Sequence, residues 1–499
     1  MSQDHCDKSV ACYRLQPRVA SRAANIFMRR LSIAIATPIL IGLSQIARAQ
    51  QETSSTSGSS STSSQSTSTS GPSSLGSTTD ISAGSSSTSS QGSASTAPSA
   101  TTGTQAGSGG VGVFSPTPIK IYLNTFAGYD TNVNTNVGPK QGSSYSGGNL
   151  VLDYTFGDPR LQVVLNAGAG AVYYIEHVSG QNYDVDLQGA LAVNYKASPR
   201  LLLGTKLLFD YLTEPNFDNP GGLNSRNGNY LYTTDNFFAS YAWSNRFSTR
   251  TSYAFEAYKY DEPSIALFSD RVTNTLGNEF LFQMVPTTKL VAEYRYAIVS
   301  YSDEGDIIIP AQFNALGVQI VPPVRLENDS TTHFLLGGID HTFNPRLTTS
   351  LRGGVEIRSY DSGGDQTGPY FEGTVTYAAG RRTSLSWNTR YGLEEPEVSG
   401  AQSRTTFRTG VHAKFDLTSR ISSTLDAYYL HDDYHSLTGP VAPIPPFTDN
   451  SYDIGFALRY AVNPLVAIQA GYHFTDASSD LPGREYTRSR FFGGVTFTF

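Results

Sequence analysis

The 499-residue chain has only two cysteines, three methionines and two tryptophans. Both cysteines, Cys6 and Cys12, lie ahead of the segment read below as an export signal. The exported part therefore has no thiol for a disulfide, a thiolate metal site or a nucleophile. Charge is also scarce, at 15% Asp, Glu, Lys and Arg. Long apolar runs are missing too: the stretch from Leu31 to Leu43 is interrupted by Ser32, Thr37, Pro38 and Gly42, too short and too broken to cross a bilayer as a helix. Helical membrane spans are thus excluded. What the chain has instead is 30 Tyr, 26 Phe and 46 Gly, a mixture that suits strands and tight turns.

From Met28 the sequence places Arg29 and Arg30 before the apolar stretch and ends it with Ala47-Arg48-Ala49. That is the layout of a secretory signal peptide cleaved after Ala49, with residues 1–27 an extension upstream of the true start. Residues 1–49 contain seven Lys/Arg and two Asp/Glu, so the remainder carries 28 basic and 40 acidic residues, a formal charge of −12. Such a balance argues against nucleic acid as a partner. The next segment, through residue 114, is mostly Ser, Thr, Gly, Ala and Gln, and between 51 and 110 its only charges are Glu52 and Asp80. It cannot build a core and reads as a disordered periplasmic linker spanning on the order of 40 Å.

From residue 115 to Phe499 one unit repeats: an alternating segment, a very short turn, a second alternating segment, then a longer polar loop. The short turns resemble each other, at Gly157–Leu161, Ala197–Leu201, Ser244–Phe247, Val285–Leu290, Asn344–Leu347, Gly380–Thr383, Thr418–Ile421 and Val462–Leu465. Seven of the eight put a cation just ahead of the next strand or at its start, which is turn chemistry. Nine longer loops lie between them, so the count predicts eighteen strands, or sixteen if the mixed segment Asp329–Phe343 is miscounted. An even number of strands with both ends on the short-turn side is the pattern of a transmembrane, antiparallel, up-and-down β-barrel. The alternation agrees. Leu161, Val163, Leu165, Ala167, Ala169, Ala171 and Tyr173 share one face, and Gln162, Asn166, Gly168 and Gly170 the other.

An aromatic residue stands before every loop: Tyr129, Tyr174, Tyr211, Tyr260, Tyr301, Tyr360, Tyr391, Tyr429 and Tyr472. Another stands before every short turn: Phe156, Tyr195, Trp243, Phe282, Phe343, Tyr377, Phe415 and Tyr460. Two interfacial girdles account for both rows, whereas a soluble sandwich or propeller has no reason for them. Phe491, Val495, Phe497 and Phe499 alternate along one face of the last segment. This resembles the C-terminal strand by which barrel assembly machinery recognises its clients.

The first loop is entered through Gly128-Tyr129-Asp130-Thr131-Asn132-Val133. This string resembles the entry motif of the putative β-barrel porin 2 family, outer-membrane barrels often associated with surface or exported polysaccharide. The resemblance covers residues 115–499 in architecture and the motif alone in residue identity. It carries over no catalytic residue and implies no cofactor.

Other motifs point less far. Asp130, Asn132 and Asn134 open like a calcium loop, but Thr135 stands where a Gly is required and Gln141 where a Glu is required; capping of a rim turn fits them better. The groups Asp303, Glu304, Asp306 and Glu394, Glu395, Glu397 read as solvated loop tips. His431 and His435 are not spaced by a helix for a metal. No serine stands in a nucleophile motif, so no enzyme is expected. The inward phase of the later strands places Arg346, Arg352, Arg358, Arg382, Arg390, Arg404, Arg408 and Lys414 in the lumen, opposite Asp153, Asp184, Asp186 and Asp210 from the earlier strands. This predicts an electropositive stripe facing a more acidic wall. The loop Ser302–Asn328 is the longest and rich in Ile and Val, so it is expected to fold inward or across the mouth as a constriction or lid. The chain reads as an outer-membrane channel for passive diffusion of small hydrophilic solutes, in contact with outer-membrane lipids. The alternative is an export or surface-assembly component for polysaccharide.

Overall fold

The computed structural model describes residues 119–499 apart from 136, 177–181, 218–224, 227, 303–306, 310–311, 314–318, 322–323, 326–327, 362–363, 381, 399 and 437–443. The signal-peptide and linker readings lie outside the described residues, as does most of the loop 302–328.

Eighteen antiparallel strands close into one barrel. In chain order they are β1 (Ile119–Asp130), β2 (Ser143–Gly157), β3 (Leu161–Tyr174), β4 (Tyr183–Lys196), β5 (Leu201–Leu212), β6 (Tyr230–Ala242), β7 (Phe247–Tyr260), β8 (Arg271–Val285) and β9 (Thr288–Tyr301). The second half comprises β10 (Ser330–Asn344), β11 (Leu347–Tyr360), β12 (Gln366–Ala379), β13 (Thr383–Glu394), β14 (Ala401–Asp416), β15 (Ile421–Ser436), β16 (Phe447–Ala461), β17 (Val466–Ser479) and β18 (Tyr486–Thr498). Each strand pairs with its neighbours in sequence. The ring closes where β1 meets β18, Asn124 opposite Thr496 and Asp130 opposite Arg490. At the inner end of this seam the Phe499 N–H donates to the Ile121 carbonyl at 2.8 Å, and the Ile121 N–H to that of Phe499 at 3.1 Å. Closure leaves no unpaired edge. No helix among the described residues is long and apolar enough to cross a membrane.

The short turns share one geometry. The turn carbonyls of Arg160, Arg200, Arg246, Arg346, Arg382 and Arg420 each accept from an N–H at or just past the inner end of a neighbouring strand. That explains the repeated sequence: a proline or small polar residue bends the chain, and the exposed cation sits in water just beyond it.

The two faces of the wall follow the alternation. Outward stand Leu150, Leu203, Phe209, Leu335, Val355, Ile454 and Ile468, all exposed. All eight aromatics before the short turns are exposed and form the inner girdle. The outer row is not one girdle. Tyr129, Tyr211, Tyr391, Tyr429 and Tyr472 take the outward phase, whereas Tyr174, Tyr260, Tyr301 and Tyr360 point inward and are buried. The mixed segment is strand β10. Its inward phase carries Phe334 and Leu336, which pack with Ala297 and Tyr370, so apolar residues occur on both faces.

Strands 4.8 Å apart and tilted by about 40° close eighteen-fold on a radius of roughly 18 Å. Wall side chains alone cannot fill a lumen that wide. Its occupation by loops is therefore what decides whether and how it conducts.

Candidate functional site: a loop-narrowed lumen

The loop between β5 and β6 turns inward. Its base is fixed by the Tyr230 hydroxyl, which donates to the Glu214 carbonyl at 3.0 Å, and by Thr213 Oγ1, which donates to Asn229 Oδ1 at 2.6 Å. From there Glu214 reaches the wall at β18. Arg488 Nη1 and Nη2 donate to its carboxylate at 2.5 and 3.1 Å, and Arg490 Nη1 lies 3.4 Å away. The same two arginines hold Asp130 at the outer end of β1, with Arg488 Nε to Asp130 Oδ2 at 2.9 Å. Three residues beyond Glu214, the Phe217 carbonyl accepts from Arg408 on β14. In an eighteen-strand ring β14 is diametrically opposite β5, so this loop connects opposite walls. Its returning limb is anchored by Arg226, whose guanidinium pairs with Asp184 on β4 and donates to the Val133 carbonyl at 3.2 Å.

These contacts bury two acids and two arginines together: Asp130 is 0% and Glu214 3% exposed. Burial pushes the Glu214 carboxyl up, but the Arg488, Arg490 and Arg226 guanidiniums outweigh it and hold the group well below the usual carboxylate range. Beside the loop, a small opening remains between Glu214–Phe217 and the wall residues Tyr428, Asp453, His473, Thr475 and Arg490.

Other loops tuck in as well. Helix α1 (Pro263–Ser269), between β7 and β8, sets Ile265 and Ala266 against the inward cluster of Leu208, Leu212, Tyr230, Tyr232, Tyr258 and Tyr260. Val133 of the first loop joins Phe126, Tyr145, Val172 and Tyr174. Val398, Ile444 and Leu481, from three successive loops, pack on Tyr434 and Phe447. The outer half of the lumen is therefore lined and narrowed by its own loops. In the inner half, the inward residues Lys206, Arg250, Lys414 and Arg459 are half-buried and Ser384 is exposed.

The entry motif is explained residue by residue. A Cβ on Gly128 would fall 2.0 Å from the Phe491 carbonyl and 2.6 Å from the Tyr145 ring. Tyr129 faces outward in the girdle. Asp130 binds Arg488 and also accepts the Asn132 N–H at 2.9 Å, the expected turn cap. Asn132 and Val133 are 0% exposed. The motif thus builds the β1–β18 seam and supplies one anchor of the loop-holding cluster.

The predicted arginine stripe needs correction. Arg352, Arg358, Arg404 and Arg408 do point inward, but they are buried and paired. Arg352 Nη1 meets Asp340 Oδ1 at 2.7 Å, and Arg358 Nη1 meets Glu395 Oε1 at 2.8 Å. Arg404 and Arg408 share Glu394 at 3.4 and 3.1 Å, and Arg404 also meets Asp432. Glu394, Glu395 and Glu397 are therefore not solvated tips. They fold back on the wall, with Glu397 paired to Arg484, because buried guanidiniums require a counter-charge. Arg390 points inward, its guanidinium 5.6 Å from the Tyr370 ring centroid. Lys414 points inward, half-exposed, with no ion pair among the described residues. Arg346 and Arg382 are exposed residues of the short turns, beyond the strand ends, and do not line the lumen.

The four acids all take the inward phase. Asp184, Asp186 and Asp210 are buried, and Asp153 is held by Asn166. Both carboxylate oxygens of Asp186 are buried without a hydrogen-bond partner among the described residues. Phe491, Val495 and Phe497 face outward, and Phe499 continues their line at the seam. Among the described residues no group of three or more His, Cys, Asp or Glu could hold a metal ion. Sequence reasoning missed Glu214, Arg226, Arg488 and Arg490. The available signal was two cations, Arg488 and Arg490, at successive inward positions of the last strand.

The fold and the site together define a closed antiparallel barrel with a polar lumen that its own loops narrow. Residues 327–499, strands β10–β18, match the family model described as putative β-barrel porin 2. No curated protein matches the chain. Among solved structures, it is similar to OccAB4 of Acinetobacter baumannii, with 12% identity, TM-score 0.37, and 77% of this chain and 99% of the other covered. It is also similar to a mutant of the ferric enterobactin receptor of Pseudomonas aeruginosa, with 9% identity, TM-score 0.36, and coverage of 77% and 81%. A third is the siderophore receptor PirA of Pseudomonas aeruginosa, with 9% identity, TM-score 0.35, and coverage of 77% and 81%.

Proposed function

We propose that this protein is a non-enzymatic outer-membrane channel through which small hydrophilic solutes diffuse down their gradient, with the loop after β5 setting the size limit. The observation that carries this reading is the lumen itself. Its inner half is lined by partly exposed polar side chains, and its outer half is narrowed by inward loops, of which the loop after β5 is fixed to two opposite walls. An apolar outer surface between aromatic rows suits a bilayer, and the match to a porin family agrees. Single-channel recording of the purified chain in a planar bilayer tests it. The channel should conduct ions, and a graded series of neutral sugars should reduce its conductance up to a sharp size limit.

A second reading is a conduit for exported polysaccharide, closed until a partner docks from the periplasm. The filling of the outer half by inward loops favours it. The two readings part on one point: a diffusion channel conducts when purified, whereas a conduit of this kind stays shut without its partner.

A further inference from the structure

Between the girdles, the outer face of the barrel is apolar on most strands. On β3 the outward series from Leu161 to Tyr173 holds no polar side chain but the Tyr173 hydroxyl. Strands β6 to β8 differ. Asp235 takes the outward phase of β6, paired across the ladders with Leu207 and Phe255, and on the same face β8 carries Asn274 and Asn278.

The depth of these residues is set by the register. The outer girdle residue Tyr211 stands opposite Leu231, and Tyr241 marks the inner girdle on the same strand. Ten residues at about 3.3 Å, tilted by about 40°, give a band of roughly 25 Å, the height of a barrel's lipid-facing belt. Asp235 is four residues in from the upper mark, about 10 Å below it. An ionisable side chain at that level, turned away from the lumen, is poorly placed against lipid tails.

The hydrogen-bonding capacity of the patch is unused in one complementary respect. Asp235 is half-buried and has no hydrogen-bond or ion-pair partner among the described residues, so it offers an acceptor. The Tyr253 hydroxyl donates to Asn274 Oδ1 at 2.7 Å, and Thr251 Oγ1 to Asn278 Oδ1 at 3.3 Å. In both amides Oδ1 is taken by a neighbouring hydroxyl, which leaves Nδ2, with no partner among the described residues, as the group able to donate. Acceptor and donors on one patch are what an isologous contact requires, since the same surface must serve both partners. Around them Phe237, Tyr253, Leu276 and Phe280 are exposed and supply the apolar remainder of a contact area.

We infer that the β6–β8 face is where a second copy of this chain docks in the membrane, about a two-fold axis along the membrane normal. Asp235 of each copy then accepts from an outward amide of the other. The inference does not depend on whether the barrel conducts.

Two measurements on the full chain test it. The first is the protein mass in detergent solution by analytical ultracentrifugation. The wild type should be a dimer, and the variant Asp235→Leu, Asn274→Leu, Asn278→Leu a monomer. Apolar replacements on a lipid-facing surface leave a folded barrel, which heat-shifted gel mobility verifies. The second is oxidative cross-linking in lipid vesicles, with Cys6→Ser and Cys12→Ser as background. Asp235→Cys combined with Asn274→Cys or Asn278→Cys should give a disulfide-linked pair of chains, and Ala167→Cys on β3 should not. A monomeric wild type, a triple variant that stays dimeric, a ring of three copies, equal cross-linking at Ala167, or a cross-linked species containing a different protein would each overturn it.

Discussion

Glu214→Ala removes the acid that ties the β5–β6 loop to β18 and leaves Arg488 and Arg490 sharing Asp130 alone. Both guanidiniums are buried, with side chains 3% and 5% exposed, so solvent screening offsets little of the loss. Removing one partner of such a buried pair costs about 3–5 kcal/mol. At 1.4 kcal/mol per tenfold, the balance between the pinned and released loop shifts by about 10²-fold to roughly 4 × 10³-fold toward release. The Phe217 carbonyl and Arg226 still hold the loop, so the expected record is a channel that flickers between the wild-type level and a larger one. Trypsin gives an independent readout. Arg226 is held by Asp184 in the pinned loop, and cleavage there should accelerate in vesicles containing the variant. Unchanged conductance together with unchanged cleavage would refute the claim that Glu214 pins a constricting loop.

The pinning should also depend on pH in a definite sense. Glu214 in the folded barrel titrates below its free value of about 4.3. Its contribution is therefore complete above that value and lost as pH falls through the lowered one; the large-conductance state should appear only well below pH 4 and become insensitive to pH in Glu214→Gln. Gly128→Ala should destabilise the β1–β18 seam by about 1–3 kcal/mol, as overpacking does, seen as a lower urea midpoint in refolding into vesicles; an unchanged midpoint would mean the seam yields freely. For selectivity, the cations that matter are the half-exposed ones of the inner lumen. Replacing Lys206, Lys414 and Arg459 together by Ala should move the zero-current potential in a salt gradient toward cations, and no movement would show that the inner lumen does not set selectivity. Arg352→Ala should instead lower stability by about 3–5 kcal/mol, because it strands Asp340; thermal unfolding in detergent measures that loss.

The strand count was legible because the turn chemistry recurs, as at Asp158-Pro159-Arg160 and Asn344-Pro345-Arg346, and each turn forces a reversal at a fixed spacing. The two-face alternation followed from the same register. What the sequence did not disclose was that the loop after β5 enters the lumen. That loop has Phe217 as its one aromatic, and its path is set by a charge. Glu214 meets Arg488 across 274 positions of chain, a pairing that no local pattern encodes. The acids Glu394, Glu395 and Glu397 were misplaced for the same reason. Their partners Arg404, Arg358 and Arg484 are assembled only when β11, β13, β14 and the last loop come together. Four tyrosines of the outer row have the same spacing as the girdle residues and differ only in phase, which the strand ends leave open until the ladders are paired.

We propose that water and small solutes pass through the barrel beside a loop fixed at Glu214. Swelling of proteoliposomes in isotonic sugars of graded size tests this most directly. Wild-type vesicles should admit a monosaccharide and exclude a larger oligosaccharide, and Glu214→Ala vesicles should admit both. Wild-type vesicles that admit no sugar at all, or variant vesicles with the wild-type size limit, would contradict it.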